Sequence, residues 1–543
     1  MSKARKPAAK RRPAKRGSRP SPDGDSVARQ MAEKQREISV SEFFTKNRHL
    51  LGFDNPRKAL LTAVKEAVDN SLDAAEEAGL APDLVVDLKP VKGDDDRFVV
   101  SVSDNGPGIM PAQLPNVFGR LLYGSKFHRL RQSRGQQGIG ISAAAMYGQL
   151  TTGKPIRVWS RTSPRRPAHY VELRIDTKKN RPEILRKREL PEWDQPRGTR
   201  IEITLEARFT RGRQSVDDYL LQCAIANPHM RLVYHPPSGE PVTFERTTTQ
   251  LPKEALEIRP HPFGVELGML LDLLKGSRAR QLSAFLETEF SRVSRRVALA
   301  ICDLAEVDPK RSLKSIAATD LERIHRALSR VKVMAPPTDC LSPIGEQLIL
   351  DGLQKEVDAD FFAAKTRPPA VYRGNPFQVE VGIAHGGKQL SADDPVRLMR
   401  FANRVPLLYQ QSACAVFRAA VATDWRKYHL TQPRGALPIG PMIIFIHVAS
   451  VWVPFTSESK EAIAHYPEIV KEIKLALQDC GREMSQHISR RKRQAVELKK
   501  RSYIDSFIPH IGDALLEILK LKASEREAAV ANLRAVLEKS RKM

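Results

Sequence analysis

Glu66 and Asn70 stand four residues apart in KEAVDNSLDA (65–74), a spacing that puts a carboxylate and an amide on one face of a helix. A carboxylate there can orient or deprotonate a water. A neutral amide oxygen can hold a hard cation such as Mg²⁺ without adding negative charge beside a phosphate. Asp104 closes SVSD and precedes Asn105-Gly106-Pro107-Gly108. A carboxylate at such a strand end can accept a hydrogen bond from an exocyclic amino group like that of adenine, while Gly106 and Gly108 let the backbone approach a planar ring. Gly135, Gly138 and Gly140 in GQQGIGISAA (135–144) open a helical run, where backbone N–H groups and a helix N-terminus can cradle phosphate oxygens. Thr199 follows on a strand in GTRIEI (198–203). Together these groups supply the chemistry for binding and hydrolysing a nucleotide. Singly, each has a plainer reading: EAVDN as a polar helix face, Asp-Asn-Gly as an Asx turn. The glycine spacing is GxxGxG rather than GxGxxG and no βαβ unit surrounds it, which argues against a dinucleotide-binding fold.

The elements that must position these groups are visible in the pattern. Leu61, Val64, Val68, Leu72 and Ala75 recur at three- and four-residue spacing, with Asn55-Pro56 ahead as cap and first-turn proline and Gly79 behind as a stop. This predicts a helix over 58–78 whose apolar stripe is offset from Glu66 and Asn70. LVVDLK (84–89) and RFVVSVSD (97–104) read as strands joined by an acidic turn, and RVWSRT, HYVELRI and TRIEITLEA continue the strands to about 208. Helix, strand, strand and glycine turn predict an α/β sandwich with its site at a strand end. From about 250 to 335 the pattern is helical, in LGMLLDLL, LSAFLETEFSRVSRRVALAICDLA and LERIHRALSRV. After Pro336-Pro337, strands return in QVEVGIAHGG and PMIIFIHVASVWVPF around a helix at 412–425. A long polar helix is predicted from 467 to about 501, carrying Arg490, Arg491, Lys492, Arg493, Lys499, Lys500 and Arg501.

A chain of 543 residues exceeds what one hydrophobic core supports, so about three domains are expected. Its formal charge of +26 predicts attraction to a polyanion. Nucleic acid is favoured over a membrane surface, because no amphipathic anchor or lipidation signal accompanies the charge. Cys223, Cys302, Cys340, Cys414 and Cys480 are scattered and form no CxxC pair, which argues against a zinc site or a disulfide framework. No apolar run reaches membrane-spanning length and no secretory stretch opens the chain, so a cytoplasmic, nucleoid-associated protein is expected, or a nuclear one in a eukaryote. Residues 1–38, basic and proline-rich at their start, are expected to be disordered, as a DNA tether or as a solubilising extension.

EAVDN, DNGPGI, GQQGIG and GTRIE resemble the motifs of the Bergerat-fold (GHKL) ATPases, a group that includes gyrase B, Hsp90, histidine kinases and MutL. HPFGVELG (261–268), CLSPIGEQLI (340–349), RFANRVPLL (400–408), DWRKYHL (424–430) and VPFTSESKEAIA (453–464) narrow the resemblance to the topoisomerase VI B-subunit family, in order over roughly 39–500. The resemblance implies a multidomain α/β protein: a GHKL α/β sandwich ATPase domain over 39–248, a small all-α helix-two-turn-helix domain over 249–336, and an α/β transducer domain, ribosomal S5 domain 2-like, with a long C-terminal helix over 337–505. A helical extension over 506–543 would follow.

Carried over by position, the resemblance makes Glu66 the general base, Asn70 the Mg²⁺ ligand and Asp104 the adenine reader beside Gly108. Thr199 would support Asp104 through the water network at the base. Ser125, Lys126 and the backbone of Gly135, Gln136, Gln137, Gly138, Ile139, Gly140 and Ile141 would form a lid over the phosphates. Lys460 would reach from the transducer to the γ-phosphate of ATP; its plainer reading is a solvated lysine at a helix start. The implied activity is that of the ATP-hydrolysing subunit of a type II (IIB) DNA topoisomerase. Two copies would dimerise through their ATPase domains around double-stranded DNA, in an A2B2 heterotetramer that relaxes and decatenates DNA. Strand cleavage needs a tyrosine nucleophile and an acidic metal cluster, which the resemblance places on a separate A subunit. The alternative is a MutL-like ATP-gated clamp or scaffold with no cutting partner. One departure from the family pattern is Trp425-Arg426-Lys427-Tyr428, where WKxY has become WRKY, and arginine does not replace lysine freely at a DNA contact.

Overall fold

The computed structural model describes residues 24–33, 35, 38–124, 129–135, 138–457, 459–520 and 522–539. Two short helices come first, α1 (Gly24–Glu33) and α2 (Val40–Lys46). The first lies within the stretch expected to be disordered and corrects that expectation for these residues. No proline stands between Pro22 and Pro56, and ARQMAE is a run of good helix formers. Residues 1–23 fall outside the described residues. Ser39 caps α2, its Oγ accepting from Glu42 N at 3.1 Å and donating to the Thr177 carbonyl at 2.5 Å, which pins the segment to the sheet that follows.

The predicted long helix is α3 (Pro56–Glu77). Asn55 Oδ1 accepts from Lys58 N at 2.9 Å, Pro56 fits the first turn, and Gly79 at φ +69° turns the chain away. Then come β1 (Asp83–Val91), β2 (Asp94–Asp104), α4 (Leu114–Gly119), α5 (Gly140–Thr152), β3 (Ile156–Arg161), β4 (Ala168–Asp176), β5 (Arg181–Leu190), β6 (Gly198–Glu206), α6 (Val216–Ala226), β7 (Arg231–His235) and β8 (Val242–Phe244). They build an eight-stranded sheet of order β5-β4-β3-β6-β2-β1-β7-β8, antiparallel except for the β1–β7 pair. One face buries Leu84, Val86, Val100, Val102, Ile201 and Ile203 in one core with the apolar residues of α3 and α5. This is the α/β sandwich the pattern predicts. The acidic residues Asp94–Asp96 lie in β2 rather than in the turn, which is made by Lys92-Gly93. Strand β5 has almost every residue exposed, so it lacks the alternation that would reveal it.

The helical block holds α7 (Leu267–Gly276), α8 (Leu282–Glu289), α9 (Arg295–Ala305) and α10 (Ala318–Leu328) around their own core. The run from Leu282 to Ala305, read as one helical stretch, breaks after Glu289, where Arg292 adopts φ +60° before α9 begins.

A second sheet follows. Its elements are α11 (Glu346–Glu356), β9 (Phe361–Thr366), β10 (Ala370–Tyr372), β11 (Asn375–His385), β12 (Arg397–Ala402), β13 (Val405–Pro406), α12 (Ala415–Val421), β14 (Met442–Ser450), α13 (Pro467–Leu519) and α14 (Ala523–Lys539). The strand order is β10-β11-β14-β12-β13, with β9 on β11. The helix expected at 412–425 is shorter, flanked by 3-10 turns at Gln411–Ala413 and Trp425–Tyr428. Helix α13 does not stop near 501; it continues through Pro509 to Leu519, and α14 folds back on it with Arg526 Nε 2.5 Å from Asp513. The two sheets are joined where Ile225 and Ala226 at the end of α6 share a core with Ile349, Leu353, Phe401 and Phe445. Gly352 permits this close packing, since a Cβ there would stand 2.5 Å from the Ile225 carbonyl oxygen.

Candidate active site

Helix α3 delivers Glu66 and Asn70 to a cleft of about 380 Å³ whose walls also include Asp104, Gly108, Gly140 and Lys460. Glu66 is half-buried, and its carboxylate lies against Gly140, where a Cβ would stand 1.7 Å from Oε2. Gly140 is the first residue of α5, so the carboxylate sits at a helix N-terminus, whose N–H groups and dipole also favour a bound anion. One turn along, Asn70 is exposed, with Oδ1 3.8 Å from the place a Gly135 Cβ would take. Glu66, Asn70 and the glycine run therefore meet in one cleft. Gly140→Ala is expected to displace the Glu66 carboxylate: ATP turnover should fall on the order of a hundredfold, as misplacement of a reacting group by an ångström does, while the melting temperature holds, since alanine suits a helix. Steady-state ATPase assays alongside thermal denaturation check this.

Asp104 forms the floor. It is 8% exposed, and Oδ1 accepts from Gly106 N at 2.9 Å and Thr199 N at 3.1 Å while Oδ2 accepts from Ser71 Oγ at 2.8 Å. Burial pushes its carboxyl above the ordinary range, and those three hydrogen bonds hold it down against the burial. Asp104 and Thr199 are register partners across β2 and β6, so Thr199 reaches the carboxylate directly with its backbone N–H. Its hydroxyl lies 3.3 Å from Ser160 Oγ, which accepts from Ile109 N at 2.8 Å. Two glycines are dictated by this floor. A Cβ at Gly198 (φ +126°) would stand 1.9 Å from the Asp104 carbonyl oxygen, and one at Gly108 (φ +71°) 2.2 Å from that of Arg161.

Lys460 enters from the second sheet's side at φ +53°, half-buried, with Nζ 3.4 Å from the Arg134 carbonyl oxygen. It is not a solvated lysine. Burial lowers its pKa, partly offset by the nearby Glu66 carboxylate. The next residue, Glu461, is buried and pairs with Lys58 of α3 at 2.5 Å, and Lys58 also pairs with Asp54 at 3.1 Å. That ion pair holds the lysine loop against the helix that carries Glu66. Gly138, Ile139 and Ile141 line the cleft beside Gly140. Ser125, Lys126, Gln136 and Gln137 lie outside the described residues.

The region 55–209 matches the family model of histidine kinase-, DNA gyrase B-, and HSP90-like ATPases, and 336–501 matches that of the topoisomerase VI B-subunit transducer. The chain is 46% identical over 519 residues to the type 2 DNA topoisomerase 6 B subunit of Methanosarcina barkeri, covering 95% of this chain and 83% of that protein. It is 48% identical over 512 residues to the protein of that name from Methanococcoides burtonii, covering 93% and 81%. It is 46% identical over 512 residues to the one from Archaeoglobus fulgidus, covering 94% and 84%. The chain belongs to the topoisomerase VI B-subunit family. It is thus an ATPase subunit of the type II topoisomerase class, with the ATPase region ahead of the transducer.

Within this B-subunit framework the WRKY segment divides in two. Trp425 is fully buried, with Nε1 donating to the Ala420 carbonyl at 2.8 Å, and Tyr428 packs against Gly481 of α13. Those two are core residues, and Arg426 and Lys427 alone face solvent. Arg490 to Arg493 are likewise exposed on α13, with Arg491 2.6 Å from Asp360. Among the described residues no helix is long and apolar enough to cross a membrane.

Proposed function

We propose that this B-subunit chain binds ATP in the cleft between α3, the Asp104 floor and the glycine run, and hydrolyses it to drive a DNA clamp. The observation that carries this reading is the convergence of Glu66, Asn70 and Asp104 from the first sheet's layer with Lys460 from the transducer on one cleft. Asp104, buried and hydrogen-bonded to three donors, accepts from the adenine amino group. Glu66, against the N-terminus of α5, accepts the proton of the attacking water, while the α5 N–H groups hold the phosphate being attacked. Asn70 fits a Mg²⁺ ion: it is a single neutral amide exposed at the cleft edge, and Mg²⁺ takes its other ligands from phosphates and water rather than from a protein cage. Bound there, the ion would neutralise phosphate charge.

Lys460 makes a long bond to a carbonyl, so little is lost when it turns to a γ-phosphate. Its exchange between the two acceptors would couple the nucleotide state to the angle of the transducer and to α13. Two copies dimerise through the ATPase regions around a captured duplex, and a separate A subunit cuts the second duplex, in an A2B2 assembly working on nucleoid DNA. The +26 charge and the exposed basic residues of α13 suit a polyanionic partner. The reading is tested by sedimentation of the purified chain: it should be monomeric alone and dimeric with Mg²⁺ and a non-hydrolysable ATP analogue. A chain that binds the analogue yet stays monomeric contradicts the clamp.

A further inference from the structure

Arg134 stands immediately before Gly135, at the root of the glycine-rich loop, and is 7% exposed. Its guanidinium is held from three sides. Nη1 and Nη2 donate to the two oxygens of Glu76 at 2.7 Å each, Nη1 also reaches Asp73 at 2.9 Å, and Nη2 reaches Asn227 Oδ1 at 2.5 Å. His229 Nε2 lies 2.6 Å from the same Glu76. Against the cost of burial, the charge of Arg134 and the hydrogen bonds from His229 and Arg134 hold the Glu76 carboxyl well below its ordinary range. Asp73 and Glu76 lie on α3, the helix of Glu66 and Asn70. The loop root and the catalytic helix are thereby one rigid unit, fixed by a fork that only arginine supplies.

Two consecutive carbonyls of this root face the transducer, and each meets a donor from it. Asn403 Nδ2 donates to the Ser133 carbonyl at 3.0 Å, and Lys460 Nζ lies 3.4 Å from that of Arg134. Asn403 is itself rigidly presented. With Arg404 it forms the two-residue turn between β12 and β13, both at positive φ (49° and 69°), as a type I′ hairpin turn requires. Neither is glycine, so the surroundings must enforce the conformation. They do: Asn403 exchanges hydrogen bonds with Ser450 N and O at 2.9 Å each, and Arg404 N donates to His447 Nε2 at 2.9 Å. Arg404 Nη2 also donates to the Pro343 carbonyl at 3.1 Å.

We infer that the Ser133-Arg134 segment is the point at which the transducer grips the root of the glycine-rich loop, with Arg134 as the positioning residue that aims both carbonyls and Asn403 as the fixed grip beside the movable Lys460. This rests on the reading of Lys460 as the γ-phosphate lysine. When Lys460 leaves the Arg134 carbonyl, Asn403 keeps hold of the adjacent peptide, so the Ser133-Arg134 root and the β12–β13 turn act as the fulcrum. Substrate affinity resides elsewhere, at Asp104 and the α5 N-terminus, so the arrangement affects turnover rather than binding.

The test uses the full chain and steady-state ATPase kinetics of Arg134→Lys, Lys460→Met and the double variant. Arg134→Lys keeps the charge and loses the fork. It should lower kcat on the order of tenfold, since displaced reacting groups cost at least that, with KM for ATP within about threefold. The double variant should be no slower than Lys460→Met alone, because both substitutions break one linkage. A merely structural role for Arg134 would instead move KM and kcat in step, or multiply with Lys460→Met, and either result overturns the inference, as does an unchanged kcat. If Arg134→Lys does not fold, Asn403→Ala decides the matter by the same two criteria. Equal kcat in the wild type and Lys460→Met would sink the lysine reading itself, which separates the two failures.

Discussion

Glu66→Ala is expected to abolish ATP turnover while ATP-dependent dimerisation persists. A positioned general base contributes about 10² to 10⁴ in rate, and Glu66 is the carboxylate that lies against Gly140 at the start of α5. Binding should survive, because removing a negative charge from a helix N-terminus that receives phosphates relieves repulsion rather than losing a contact. The predicted result is a protein that closes on ATP and stays closed, seen as a dimer in sedimentation with ordinary ATP. Glu66→Gln, of nearly the same shape, should behave alike. Hydrolysis at the wild-type rate by either variant would refute the assignment.

Asp104→Asn should weaken ATP binding by about a hundredfold or more, because a site built to hydrogen-bond one group discriminates strongly once its own polar group mispairs. The amide can still accept from Gly106 N and Thr199 N through its oxygen, and the Ser71 hydroxyl can turn to accept from it, but it presents an NH₂ where the adenine amino group requires an acceptor. Asp104→Ala is a harsher change. It strands two backbone N–H groups and a hydroxyl in a buried place, each costing about 1–3 kcal/mol, so loss of binding there is mixed with loss of stability. Calorimetric titration of the Asn variant with a non-hydrolysable ATP analogue, with its melting temperature measured in parallel, separates the two. Retained affinity would remove Asp104 as the adenine reader.

Much of the site was legible because its parts are local. The Glu66–Asn70 spacing, the capped α3 helix and the Asp104 turn are each decided within a few residues, and the structure places them as the pattern predicts. What the pattern could not show are partners that exist only across the fold. Ser71 meets Asp104, Lys58 meets Glu461, and Arg134 meets Asn227, and nothing in the local sequence marks any of these pairs. The same reason hid Asp69, buried between Glu66 and Asn70 and hydrogen-bonded to Tyr219 at 2.9 Å. Strand β5 escaped because an exposed edge strand has no buried face to impose a period of two. The end of α13 was misplaced because the charge run up to Arg501 resembles a terminus, whereas apolar residues such as Tyr503, Ile504 and Phe507 continue the helix beyond it. At the WRKY segment the arginine put any DNA contact in doubt, and the hydrogen bond from Trp425 to the Ala420 carbonyl and the packing of Tyr428 against Gly481 make those two residues part of the core.

The central claim, that ATP hydrolysis by this chain drives passage of one duplex through another, is tested most directly by decatenation of linked DNA circles. The purified chain would be mixed with a candidate A subunit, with ATP hydrolysis followed in the same tubes. Unlinked circles are expected only when ATP, both chains and an intact Glu66 are present. DNA binding and ATP turnover without unlinking under any pairing would contradict the claim and leave an ATP-gated clamp.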